Sequence, residues 1–174
     1  SEHEISILSA KNVTRVLKQE GYCLHVVMIS KQGFWYYLSE DVDFSRVSCV
    51  ADAVELGASL LHLTPGEGAL GRLADNPVAK LPCDCVFPLV HGRQGEDGIV
   101  QSICHVCCVP FVGCDVLSSA MCMSKYVTKI LLESAGIATA KSITVRTSKQ
   151  HAPSFEAVVE ELGLPVFVKP SSQG

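Results

Sequence analysis

The sequence predicts an α/β fold built on a parallel sheet, and three features lead to that expectation. Apolar, β-forming runs alternate with amphipathic helical stretches along most of the chain. Glycines close many of these runs, as turns between elements require. The third feature is the run Val86, Phe87, Leu89 and Val90, which ends abruptly in His91 and a loop where Gly92, Gly95 and Gly98 frame Glu96 and Asp97. An apolar strand opening into a Gly-rich turn is how an α/β sheet presents polar groups at the carboxyl ends of its strands.

Taken in order, residues 4–20 read as a helix, with Ile5, Leu8, Val13, Val16 and Leu17 in one stripe, Lys11 and Lys18 opposite, and Gly21 closing it. Residues 24–29 read as a buried strand, Lys31-Gln32-Gly33 as a turn, and residues 34–38 as a second strand rich in β formers. Residues 39–80 are the least informative. Gly57, Gly66, Gly68 and Gly71 break them into short apolar pieces, the texture of a variable surface region, and His62 is assigned no role. After the glycine loop come a helix near 98–107 and a short strand at 109–112, and strand–loop–helix–strand is the grammar of parallel pairing. Residues 115–135 read as helix broken at Ser124, which caps the second part, with Gly136 ending it. A strand at 143–147, a helix at 155–162 and a strand at 166–169 complete the expected elements.

Composition narrows the classes. With 174 residues and 48% hydrophobic content, the chain is enough for one domain, or one domain and part of another. A net charge of −4 gives no electrostatic footprint for nucleic acid or an anionic membrane. No apolar run is long enough to span a bilayer, and no signal peptide opens the chain. Nine cysteines without secretory features fit a reducing, cytoplasmic compartment. Cys83, Cys85, Cys104, Cys107 and Cys108 loosely suggest zinc, but the last three share helical spacing with Ile103, Val106 and Val109, so core packing is the preferred reading.

An isolated His-Gly pair is ordinarily a tight polar turn, but residues 91–102, HGRQGEDGIVQS, fill every fixed position of a longer pattern, H-G-x-x-G-E-D-G. That pattern resembles the signature of the D-alanine–D-alanine ligases, a branch of the ATP-grasp carboxylate–amine ligases. The resemblance continues in order through Ser1–Ser6, Phe111–Ala120, Met123-Ser-Lys125 and Pro165–Pro170. It implies an N-terminal α/β (pre-ATP-grasp) domain over 1–114 carrying the first-substrate site, and the start of an ATP-grasp central subdomain over 115–174.

The implied reaction uses ATP to phosphorylate one D-alanine, whose acyl phosphate is attacked by the amine of a second, for peptidoglycan precursor synthesis. By the same resemblance Glu2 holds the first D-alanine's ammonium and His91 orients it. Lys125 and Lys169 contact the ATP phosphates. Gly92, Gly95, Glu96, Asp97 and Gly98 organise the loop, and the two acids favour the start of the helix after Gly98. ATP and Mg2+ (or Mn2+) are the implied cofactors, with the metal ligands, the adenine segment and the arginine for the tetrahedral intermediate expected beyond Gly174. No metal ligand is assigned in this chain. The expectation is therefore a portion of a longer, cytoplasmic, homodimeric enzyme, inactive alone and without nucleic-acid or membrane partners. The alternatives are a D-alanine–D-lactate or D-serine ligase, a non-catalytic D-alanine-binding half, and, last, a zinc protein built on the cysteines. Ser124 departs from the family, which has Asp there; both residues cap well.

Overall fold

The computed structural model describes residues 2–40, 42–74, 76–146 and 152–173. Helix α1 (Glu2–Gln19) opens the chain, with Glu2 and Glu4 in the first turn and Lys18 in the last, which complements its dipole. Gly21, at φ +83°, ends it as expected. Strands β1 (Val26–Ile29) and β2 (Trp35–Leu38) follow, joined by the predicted turn, where Ser30 N–H donates to the Phe34 carbonyl at 2.8 Å.

Residues 39–80 correct the expectation of a featureless surface. They hold a 3-10 turn (Phe44–Arg46), helix α2 (Val50–Glu55) and strands β3 (Ser59–Leu63), β4 (Gly71–Leu73) and β5 (Asn76–Lys80). They also supply Phe44, Val47, Ala53, Leu61 and Leu70 to the core. The elements are short, so no window holds enough residues for a period to show.

The sheet is also a correction. It has five strands in the order β1-β2-β3-β4-β5, and each neighbouring pair is antiparallel, not parallel. Three of the connections are hairpin-length, and a parallel crossover needs about a dozen residues or more. Among the described residues, parallel pairing survives only as an isolated bridge between Val86 and Phe111, on either side of helix α3 (Ile99–Val106). That is the strand–loop–helix–strand unit read from the sequence, reduced to one rung.

Side-chain alternation puts the two faces of the sheet to different uses. Met28 and Leu38 pack with Ile7, Phe44, Val47 and Ala53 under α1 and α2. Val27, Trp35 and Tyr37 face the other way, against a cluster of Leu61, Leu70 and Leu81 that also receives Val86 and Ile103. Each fully buried aliphatic side chain in such clusters stabilises by about 1.5–3 kcal/mol. The loop before β4 is tied to the end of α3, with Gly66 N–H on the Val106 carbonyl at 2.7 Å and Gly68 N–H on the Cys107 carbonyl at 3.0 Å.

Cys104 and Cys107 lie in this core as predicted, but Cys85 and Cys108 are exposed. Cys108 has left α3 and takes φ +58°, so its side chain cannot follow the helical stripe.

Beyond Gly113, helices α4 (Val116–Met123) and α5 (Lys125–Ser134) break at Ser124 as read, and α6 (Phe155–Leu162) follows. Ser124 Oγ accepts from Val127 N–H at 3.3 Å, the expected cap. The two C-terminal strands are not formed. Residues 143–146 and 166–169 are irregular, and Thr147 lies outside the described residues. A strand needs a hydrogen-bonding neighbour, and Val168, 97% exposed, has none among the described residues. Among the described residues from 115 onward, only Ser119 is buried.

Candidate functional site

The glycine loop is held from both sides. Val90 enters beneath Gly95 so closely that a Cβ on Gly95 would sit 2.0 Å from the Val90 carbonyl oxygen. Gly95 and Glu96 N–H groups both donate to the Gly92 carbonyl, at 3.1 and 2.9 Å. Asp97 clamps the far side, accepting from Gln94 N–H at 2.9 Å and Ile99 N–H at 3.2 Å. The second contact lies at the first turn of α3, the helix-start role expected for an acid here. Gly98, at φ +93°, caps α3 and admits the Val116 backbone, whose carbonyl oxygen would be 2.8 Å from any Cβ. Only glycine joins loop and α4 in this way.

His91 is oriented by α1. Its backbone N–H donates to Ser6 Oγ at 2.9 Å, and its Nε2 is 2.9 Å from Ser9 Oγ. Its Nδ1 lies 3.8 Å from Glu96 Oε1, close enough for attraction when the ring is protonated. Glu2 reaches the same place from the start of α1. A Cβ on Gly92 would fall 1.9 Å from Glu2 Oε2, so the carboxylate rests on the glycine's bare face.

Glu2 and His91, separated by most of a domain in sequence, thus meet at the edge of one groove. It runs between α1, β1 and the segment from Cys83 to Val90, with a volume of about 980 Å³. Ser6 and Ser9 were missed in the sequence reading. Their spacing of three on a helix, which puts both hydroxyls on one face, was the available signal.

On the other side of the loop, Glu96 and Lys125 line a second, smaller cavity of about 280 Å³ with Cys122, Met123 and Gln173. Lys125 is the first residue of α5. Its N–H donates to the Ser171 carbonyl at 2.8 Å, and its ammonium donates to the Gln173 carbonyl. The 171–173 loop therefore closes over the N-terminus of α5, an end that favours anions. Lys169 does not line this cavity. It is exposed, with its ammonium 5.9 Å from the centre of the Phe167 ring. The structure thus brings Glu2, His91 and the loop together, and Glu96 with Lys125, while Lys169 stands apart.

The fold thus sets a carboxylate and an oriented imidazole on a glycine loop, with a lysine at a helix start on its other side. Residues 1–114 match the family model described as the D-ala D-ala ligase N-terminus. Over its whole length the chain is 39% identical to D-alanine--D-alanine ligase A of Chromobacterium violaceum and 39% identical to that of Escherichia coli K12, covering 48% of each. Among solved structures, the D-alanine-D-alanine ligase of Coxiella burnetii matches with a TM-score of 0.72 at 37% identity, covering 81% of this chain and 40% of that one. The VanG D-Ala:D-Ser ligase of Enterococcus faecalis matches with a TM-score of 0.76 at 27% identity, covering 100% of this chain and 50% of that one. The chain belongs to the D-alanine–D-alanine ligase family, and it spans about half the length of the curated relatives it matches.

Proposed function

We propose that this chain is the first-substrate portion of a cytoplasmic, homodimeric, ATP-dependent D-alanine–D-alanine ligase acting in peptidoglycan precursor synthesis. In that reading, residues 1–114 form the first-substrate domain and residues 115–174 begin the ATP-grasp subdomain. The observation that carries it is the convergence of Glu2 and His91 on Gly92, at the edge of one groove.

In the reaction, a carboxylate oxygen of the first D-alanine attacks the γ-phosphorus of ATP and ADP departs. The amine of the second D-alanine then attacks the acyl carbon, and phosphate leaves as the peptide bond forms. The Glu2 carboxylate pairs with the first substrate's ammonium, a charge-assisted hydrogen bond that also turns its carboxylate toward the phosphoryl donor. His91, held by Ser9, fixes the same substrate, and Asp97 and the glycines keep the loop from yielding.

Lys125, with the α5 N-terminus behind it, and Lys169 supply positive charge to the transferring phosphoryl group. Lys169 is placed for this only after residues 167–170 turn inward, because here its ammonium lies over Phe167. Magnesium takes oxygen ligands in near-octahedral geometry. Glu96 is the one carboxylate lining the Lys125 cavity, so these residues do not make a magnesium site among themselves. We assign that site to another part of the full-length enzyme.

The test is D-alanine-dependent release of phosphate from ATP by the full-length enzyme, with Glu2→Gln and His91→Ala beside it. No D-alanine-dependent turnover would refute the reading. The likeness to a D-Ala:D-Ser ligase favours one second reading, in which the acceptor is D-serine. Comparing D-alanine, D-serine and D-lactate as acceptors separates them.

A further inference from the structure

Away from the glycine loop, Cys23, His25 and Glu40 converge at the open end of the β1–β2 hairpin. One ligand-type atom from each lies within 4.8 Å of the others, the single such set of three among the described residues. Cys23 and His25 are two apart in the segment entering β1. In the register that pairs Val26 with Leu38, Glu40 would fall opposite Leu24 on the other face, but the chain has left β2 by then and turns at Glu40, which brings its carboxylate to 3.3 Å from the Cys23 sulfur. We propose that Cys23, His25 and Glu40 form a three-ligand site for Zn2+, with water completing a tetrahedron.

The donor set is thiolate, imidazole and carboxylate, the mixture that a borderline-soft divalent ion such as zinc prefers. Zinc bonds of about 2.3 Å to sulfur and about 2.0–2.1 Å to nitrogen or oxygen put the ligands of a tetrahedron roughly 3.3–3.6 Å apart. Cys23 Sγ is already 3.3 Å from Glu40 Oε1, so that edge of the tetrahedron is in place. The Nδ1 of His25 lies 3.2 Å from the Tyr37 hydroxyl, with the two ring centres 5.7 Å apart, which leaves Nε2 for the ion. A metal-binding histidine usually donates its other ring N–H to an oxygen acceptor, and the Tyr37 hydroxyl oxygen can accept it here. The thiol now donates to Glu40, so the ion replaces that proton, which passes to solvent as the S–Zn bond forms. Cys23 and Glu40 are exposed and His25 is half-buried, so an ion can enter without unfolding the hairpin.

This site does not involve the cysteines singled out by sequence spacing. Cys104 and Cys107 are sealed in the core, and Cys83, Cys85, Cys104, Cys107 and Cys108 contribute no convergent set of three among the described residues. Cys23 and His25 line the same groove as Glu2 and His91, but the site's three ligands are none of Glu2, His91 and Lys125, so it stands whether or not the ligase reading does.

Cobalt(II) titration of the full-length protein under reducing conditions tests it. One equivalent of Co2+ should give tetrahedral d–d absorption with a thiolate charge-transfer band, and Zn2+ should bleach both. Cys23→Ser should abolish the charge-transfer band, and His25→Gln should weaken Zn2+ binding by about 100-fold or more. Cys23 is exposed and His25 half-buried at the end of the hairpin, so circular dichroism of each variant should match the parent. Absence of a stoichiometric band, or a band unchanged in Cys23→Ser, overturns the proposal.

Discussion

Replacing Gly95 with alanine is the sharpest probe of the loop. The new methyl would lie 2.0 Å from the Val90 carbonyl oxygen and 2.5 Å from its carbon. Ordinary van der Waals contact begins at 3.4 Å, so loop and Val90 must part by more than about 1 Å. Neither side can move freely. The loop is pinned by the Gly95 and Glu96 bonds to Gly92 and by the Asp97 bonds to Gln94 and Ile99. Giving up two or three of these at about 1 kcal/mol each, or accepting the overlap as packing strain, sets the loss at roughly 2–4 kcal/mol. Calorimetry should show it as a fall in Tm of roughly 5–15 °C. Amide exchange at Glu96, whose N–H the loop protects, should quicken most. Gly92→Ala is the contrast, because its methyl meets the movable end of Glu2 and the cost at φ +80° is about 1–2 kcal/mol. It should raise the KM for D-alanine more than it lowers Tm. A Gly95→Ala protein within 0.5 kcal/mol of the parent (~ the scatter of neutral surface changes) would refute the close approach.

Other expectations follow from the same geometry. Glu2→Gln should raise the KM for the first D-alanine by roughly 10- to 100-fold, since a charged hydrogen bond becomes a neutral one; steady-state kinetics of the full-length enzyme checks it. Ser124→Ala removes the α5 cap and should cost about 1 kcal/mol in denaturant melts, with Ser124→Asp near neutral. Burial pushes the Cys104 thiol up from 9.0 to about 11. Its contribution is therefore whole below pH 9 and fades as pH rises toward 11, by roughly 2–3 kcal/mol, a slope that Cys104→Ala should lack in alkaline melts. The hydrogen bond from Ser118 N–H holds the Asp115 carboxyl below 3.8, so its cap is intact above that pH and is lost as pH falls through the folded value. Asp115→Asn should flatten the acid limb of stability, read by circular dichroism of α4.

By itself the sequence determined the pieces governed by local chemistry. Gly21 ends α1, Ser124 and Asp115 set the caps of α5 and α4, and the Lys31–Gly33 turn joins two β-rich runs into β1 and β2. The stripe expected on α1 is corrected: Ile5, Leu8 and Val16 are exposed and Ile7 is the buried residue. The glycine spacing at 92, 95 and 98 marked the loop and the family, because each glycine answers a nearby backbone or carboxylate contact. What only the tertiary structure decided was every pairing between distant segments. The sheet is antiparallel because hydrogen bonds between strands, not the strands' own composition, choose direction. Residues 166–169 look like a strand yet find no pairing partner among the described residues. Ser6 and Ser9 on His91, Glu2 on Gly92, and Cys23 with Glu40 are contacts across turns and helices that no local window contains. Propensity and spacing are properties of neighbours in sequence, and a site is a property of neighbours in space.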